Sequence, residues 1–258
     1  MKVVILAGGL GTRLMEETES RPKPMVEIGG RPILWHIMKM YGKYGFTEFI
    51  ICLGYKSFFI KEYFYNYYLH NSDVTINLHD NKIDIHHSET EPFTVTLIDT
   101  GLSTNTAGRI KRIRPYVGNE PFMLTYGDGL SDVNMNDLIQ FHRKHGKLAT
   151  LTSIQMPGRF GHIEISSDGS VTDFKEKVSG QDLWINGGFF VLEPGIFDFL
   201  GEDADQIQWE KGPLIAIADK GQLAAYQHNG FWKCMDALRD RIELEGLWNN
   251  GNAPWKNW

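Results

Sequence analysis

The run Lys2–Ala7 is apolar and β-branched and stops at Gly8-Gly9, the pattern of a strand buried on both faces. Apolar residues then recur at helical spacing over Pro32–Tyr44, at Ile33, Ile37, Met40, Tyr41 and Tyr44. Phe49–Leu53 reads as a second buried strand ended by Gly54, and Lys56–Leu69 as an unusually aromatic helix. Strand, helix, strand, helix predicts an α/β fold with right-handed crossovers. The middle changes character. Val74–Leu78, Lys82–His86 and Phe93–Ile98 predict short strands, with Asp80-Asn81 as a turn signal. Phe122–Tyr126 restores the buried-strand pattern and closes on Gly127-Asp128-Gly129. An amphipathic helix over Asn136–His145 and a strand over Ala149–Gln155 follow, then a hairpin, Ile163–Ile165 and Val171–Phe174, around Ser167-Asp168-Gly169-Ser170. Trp184–Leu192 holds Asn186-Gly187-Gly188 inside a strand pattern, which signals a bulge or a close backbone approach. Ala237–Trp248 predicts a C-terminal helix.

Composition narrows the class. The chain has 258 residues, 42% hydrophobic and 22% charged, with a net charge of −6. These are values of an ordinary globular protein with room for a sizeable core. An acidic balance argues against nucleic acid as the main partner, because duplex phosphates demand a basic surface. The two cysteines, Cys52 and Cys234, each sit in an apolar run and suggest neither a disulfide framework nor a zinc site. No segment has the roughly 18 apolar residues of a membrane span, and the start of the chain lacks a signal-peptide pattern. The expectation is a cytoplasmic protein, not bound to membrane or nucleic acid. No repeat or linker is visible, so residues 1–258 read as one domain, with an inserted β region at about 74–108 and a helical tail at about 237–258.

Chemistry concentrates in a few places. Gly8, Gly9 and Gly11 end the first strand in a turn whose N–H groups can approach an anion, beside the hydroxyl of Thr12 and the guanidinium of Arg13. Lys23 lies between Pro22 and Pro24, a point charge on a stiffened loop. Alone the glycine turn is equally a structural one, since it lacks a Walker lysine and puts Leu14 where a dinucleotide fingerprint needs its third glycine. Asp128 sits at the end of a buried strand, where open α/β sheets bind ligands, and an Asp in a tight turn is its plain alternative. For Asp236 the plain alternative is a helix N-cap. Arg109, before Ile110-Lys111-Arg112, reads on its own as a surface charge.

The whole string Leu6-Ala7-Gly8-Gly9-Leu10-Gly11-Thr12-Arg13-Leu14, followed by Arg21-Pro22-Lys23-Pro24-Met25, resembles the signature of the sugar nucleotidyltransferases. The segments Thr100–Arg109, Pro157-Gly158-Arg159-Phe160-Gly161 and the aromatic C-terminus resemble the cytidylyltransferase branch of that family. The resemblance implies a Rossmann-like three-layer α/β nucleotidyltransferase fold with a mixed, mostly parallel sheet and a small additional β region. It implies transfer of CMP from CTP to glucose 1-phosphate, with Mg²⁺ as cofactor and a place in making a CDP-linked sugar for surface polysaccharide. The residues it selects for the nucleotide are Leu6, Ala7, Gly8, Gly9, Leu10, Gly11, Thr12, Arg13, Lys23, Gly127 and Asp128, with Thr104 and Arg109 on cytosine. Asp128 and Asp236 would hold the metal. Lys177, in a segment where Val178 replaces the family's proline, would meet the sugar phosphate; Glu164, Asn186, Gly187, Gly188 and Trp232 would line the sugar. Arg13, Lys23, Asp128 and Lys177 are the expected catalytic set. A homo-oligomer, trimer-based or hexameric, is expected, and Leu78–Gly108 is expected to order on nucleotide or at a subunit contact. The same chemistry with dTTP or UTP, a nicotinamide oxidoreductase and a non-catalytic regulatory subunit remain the alternatives.

Overall fold

Val3–Leu6 is buried along its whole length and pairs in parallel with Glu48–Leu53 on one side and Phe122–Tyr126 on the other. It is the centre of a seven-stranded sheet, which in spatial order runs Leu223–His228, Ala149–Gln155, Trp184–Leu192, Phe122–Tyr126, Val3–Leu6, Glu48–Leu53 and Thr94–Asp99. Trp184–Leu192 alone is antiparallel to both neighbours; the other pairings are parallel. The computed structural model describes residues 1–155, 162–166, 170–175 and 184–258, with the side chains of Arg13, Met15, Glu16, 162–165 and 171–175 outside the description.

Period-two alternation divides each central strand between two cores. Val3, Ile5, Phe49, Ile51, Met123, Phe189 and Val191 face one, packed against the helices Ile33–Gly42, Met135–His145 and Leu238–Asn249. Val4, Leu6, Ile50, Cys52, Leu124, Phe190 and Leu192 face the other, under the helices Thr106–Arg112 and Pro213–Asp219. Helix, sheet, helix is the three-layer α/β architecture expected, and burial on both faces explains why these strands are continuous apolar runs.

The insertion is smaller than its predicted span of 74–108. Thr94–Asp99 is the edge strand of the main sheet, because Val95 and Leu97 pack on one core while Ile98 packs on the other. Thr106–Arg112 is a helix that buries Ala107 and Ile110. Only the hairpin of Ser72–Asn77 and Lys82–Ser88 stands apart. The tail is core rather than appendage at one point: Trp255 is fully buried and stacks on Phe231 with ring centroids 5.6 Å apart. Among the described residues no helix is long and apolar enough to cross a membrane.

Candidate active site

The first strand delivers Gly8–Thr12 to the sheet's carboxyl edge. Among the described residues the N–H groups of Gly8, Gly9 and Leu10 have no hydrogen-bond partner, so the turn offers free donors to an anion. Its shape is fixed from beneath. The Gly8 carbonyl accepts from Tyr55 N at 3.2 Å and from the Arg109 guanidinium at 2.9 Å. A Cβ on Gly8 would stand 2.1 Å from that guanidinium, so only glycine fits. Gly11 adopts φ 67°, the left-handed region glycine tolerates.

Arg109 departs from its reading as a surface charge. It is no surface charge, being 4% exposed. Its guanidinium donates to Leu53 O at 2.9 Å, Thr100 Oγ1 at 2.7 Å, Gly101 O at 2.9 Å and Gly8 O. Through these bonds Arg109 braces three loops, and it also lines the cavity in which contact with cytosine is expected. Thr104 is buried and lines the same cavity. That cavity, about 370 Å³, is bounded by Leu6, Ala7, Gly8, Gly9, Gly11, Thr12, Lys23, Thr104, Arg109, Tyr126, Gly127 and Asp128. Leu10 lies outside this lining and is 53% exposed.

Two carboxylates meet at its edge. Gly127 N donates to Leu6 O, and a Cβ there would come within 2.9 Å of that oxygen, so the chain can pass this close to the first strand only as glycine. Asp128 follows. Gly129–Ser131 then pairs antiparallel with Trp232–Cys234, and Met235 N donates to Asp128 O, which carries Asp236 to Asp128 across 108 residues of sequence. Asp236 is not the N-cap of the last helix; Ala237 is. The loop is held instead by Asp240, whose buried carboxylate accepts from Asp236 N at 3.1 Å and Ala237 N at 2.8 Å. Asp240 went unnoticed in the sequence, although an acid three residues after a cap is a known N-terminal signal.

Lys23 Nζ lies between the carboxylates, 2.6 Å from Asp128 and 2.8 Å from Asp236. Lys23 opens a single 3-10 turn whose start Pro22 fixes at φ −69°. Burial pulls the Lys23 pKa down, but the charge of Asp128 and hydrogen bonds to both aspartates outweigh it and raise the value, so the ammonium is charged. Ligand atoms of Asp128, Cys234 and Asp236 lie within 4.8 Å of one another. Burial first, then Asp128, pushes the Cys234 thiol up, so it stays protonated. The hard donors are therefore the two carboxylates, a set that suits a divalent cation, and Lys23 shows that the gap between them already accommodates positive charge.

A second cavity of about 820 Å³ opens beyond Asp236, lined by His228, Trp232, Lys233, Cys234 and Glu243. Trp232 Nε1 donates to Gly187 O at 2.7 Å. The predicted bulge is present: Ser153 pairs with Asn186 and Leu151 with Phe190, so the glycine strand carries two extra residues. Gly187 and Gly188 are glycines because neighbouring protein leaves no room for a side chain. A Cβ on Gly188 would strike the Tyr126 ring at 2.5 Å and one on Gly187 would approach Thr152 O at 3.0 Å. Asn186 stands at the bulge, its Oδ1 accepting from Gly188 N at 2.9 Å. Tyr126 hydroxyl donates to Glu210; burial and that carboxylate raise its pKa, keeping the phenol protonated. Neither Tyr126 nor Glu210 stood out in the sequence. Lys177 and the Pro157–Gly161 stretch lie outside the described residues, as do the side chains of Arg13 and Glu164, the latter on the strand His162–Ile165.

Residues 2–236 match the model of the nucleotidyl transferase family. The chain is 56% identical to the glucose-1-phosphate cytidylyltransferase of Salmonella typhi, with both chains covered completely. It is 30% identical to mannose-1-phosphate guanyltransferase beta-A of Xenopus laevis, over 96% of this chain and 64% of that protein. In fold it is similar to a UDP-glucose pyrophosphorylase solved with UDP-glucose, at a TM-score of 0.68 and 18% identity, covering 97% of this chain and 98% of that one.

Proposed function

The chain belongs to the nucleotidyl transferase family, and from that premise we propose that it transfers CMP from CTP to α-D-glucose 1-phosphate, giving CDP-glucose and pyrophosphate. The observation that carries this reading is identity of 56% along the entire length of a cytidylyltransferase. The site is consistent with it, since a glycine cradle and a second cavity meet at Lys23, Asp128 and Asp236.

The chemistry is in-line attack of a sugar phosphate oxygen on the α-phosphorus of the nucleotide. That oxygen is an anion at neutral pH, so no general base is needed. The obstacle is the approach of two polyanions, and the chain's work is positioning and charge neutralisation. The free N–H groups of Gly8, Gly9 and Leu10 cradle phosphate oxygens. Lys23, charged and held by its 3-10 turn, turns from the carboxylates to the phosphates at the reacting centre. By resemblance we assign Arg13 to the leaving pyrophosphate and Lys177 to the sugar phosphate. Asp128 and Asp236 would hold Mg²⁺, which would supply Lewis-acid neutralisation of phosphate charge. Thr104 and Arg109 line the wall for the base, and Arg109 also keeps the cradle in shape. Asn186 and Trp232 are assigned to the sugar side, and Glu164 joins them by resemblance.

The hairpin is the part of the chain we assign to self-association. Val74 pairs with Ile85 and Ile76 with Ile83, so these four share one face, and Ile76, Ile83 and Ile85 are each 45–50% exposed. The functional test is the identity of the product: CDP-glucose formed from CTP and glucose 1-phosphate supports the reading, and its absence refutes it.

A further inference from the structure

One chain of hydrogen bonds runs from the nucleotide cavity to Asn186, assigned above to the sugar, and its centre is a residue with no role in the reaction as derived above. Glu210 sits on the 3-10 turn Trp209–Lys211. One of its carboxylate oxygens accepts from the Tyr126 hydroxyl, the other from Thr106 Oγ1 at 3.3 Å. Thr106 in turn accepts from Trp209 N at 2.7 Å. Thr106 and Tyr126 both line the nucleotide cavity.

A carboxylate only accepts. Both hydroxyl protons must therefore point at Glu210, and the Tyr126 oxygen is left as an acceptor. Asn186 Nδ2 lies 3.4 Å from it. The other end of the same amide is already fixed, because Asn186 Oδ1 takes the Gly188 N–H. The amide cannot flip without setting donor against donor at Gly188 and acceptor against acceptor at Tyr126. One Nδ2 hydrogen goes to Tyr126, and the second has no partner among the described residues.

We propose that Glu210 is a positioning residue: it sets the direction of the chain Glu210–Tyr126–Asn186, so that Asn186 presents an N–H donor to a hydroxyl of the sugar 1-phosphate. This rests on reading the site as that of a sugar 1-phosphate nucleotidyltransferase. It differs from a general structural role for Glu210, because the effect passes through one phenolic proton.

The experiment is a double-mutant cycle with Glu210→Met and Tyr126→Phe: Met is close to Glu in size but offers no carboxylate acceptor, whereas Glu210→Gln would keep an oxygen for the Tyr126 hydroxyl and Glu210→Ala would leave a void. Pyrophosphate release gives KM for glucose 1-phosphate and kcat at saturating CTP; thermal unfolding of each variant is followed alongside. Each single variant should raise KM for glucose 1-phosphate about tenfold, the scale of one hydrogen bond to a charged group, with little change in kcat or unfolding temperature. The double variant should be no worse than the worse single one, since both break the same chain. Multiplying effects, or a lowered unfolding temperature with KM unmoved, would overturn the inference while leaving the activity standing. A wild-type chain inactive with CTP would overturn the proposed function and this inference with it.

Discussion

The ammonium of Lys23 lies 2.6 Å from a carboxylate oxygen of Asp128, although 105 residues separate them in sequence. A cation held on the carboxylates assigned to the metal is a resting arrangement. It keeps two neighbouring negative charges compensated and stores a positive charge within reach of incoming phosphates. Removing the ammonium should therefore damage catalysis more than folding. Lys23→Ala should lower turnover by about 100-fold or more, the scale of losing one preorganised electrostatic contact, while far-UV circular dichroism is unchanged. Steady-state pyrophosphate release checks this; near-normal rates would remove Lys23 from the reacting centre.

Asp236 shares Lys23 with Asp128, its Oδ1 lying 2.8 Å from the ammonium. Replacing it by Asn keeps the shape and halves the charge available to a divalent cation. Asp236→Asn should raise the Mg²⁺ concentration for half-maximal rate roughly 10- to 100-fold, and chelation should abolish activity in the wild-type chain. A metal titration of the rate reads both. An unshifted midpoint would take Asp236 out of the metal site.

His36 is fully buried, with Nε2 donating to Ile28 O at 2.8 Å and Nδ1 accepting from Trp255 Nε1 at 3.3 Å. Burial lowers its pKa from 6.5 to about 4, only partly opposed by backbone hydrogen bonds to Ile28 and Arg31 and by Glu245. The unfolded chain thus takes up this proton below about pH 6.5 and the folded chain only near pH 4. Stability from this group is complete above pH 6.5 and is lost as pH falls through 4, a change of roughly 3 kcal/mol. Thermal unfolding between those pH values should fall less steeply in His36→Gln than in wild type. Equal slopes would mean that His36 is not the neutral buried group described.

Among the described residues the hairpin face Val74, Ile76, Ile83 and Ile85 packs on neither core. Contiguous exposed apolar surface of this kind marks contact sites. Sedimentation velocity should find the wild-type chain associated and an Ile76→Asp, Ile85→Asp double variant shifted to the monomer. An unchanged distribution would place the contact elsewhere.

Much of this architecture was visible in the residues because the central strands are buried on both faces. Val3–Leu6 and Phe122–Tyr126 could hardly be anything else. Thr94–Asp99 was grouped with the insertion because an edge strand mixes Thr among its apolar residues, as the hairpin does. Arg109 was misjudged for a different reason. Its partners are carbonyls of Gly8, Leu53 and Gly101, which leave no trace in side-chain pattern. Pairing of Asp128 with Asp236 depends on the short ladder between Gly129–Ser131 and Trp232–Cys234, which no spacing rule reveals; resemblance alone supplied it. Glu210 stayed hidden because its role depends on where Tyr126 and Thr106 come to rest.

The central claim is cytidylyl transfer to glucose 1-phosphate. It is tested most directly by pyrophosphate release from CTP, UTP, dTTP, ATP and GTP, each with glucose 1-phosphate and Mg²⁺. The account predicts that CTP supports the fastest release by at least about tenfold, the discrimination that one well-placed hydrogen bond provides. A rate with UTP or dTTP equal to or above that with CTP would contradict it.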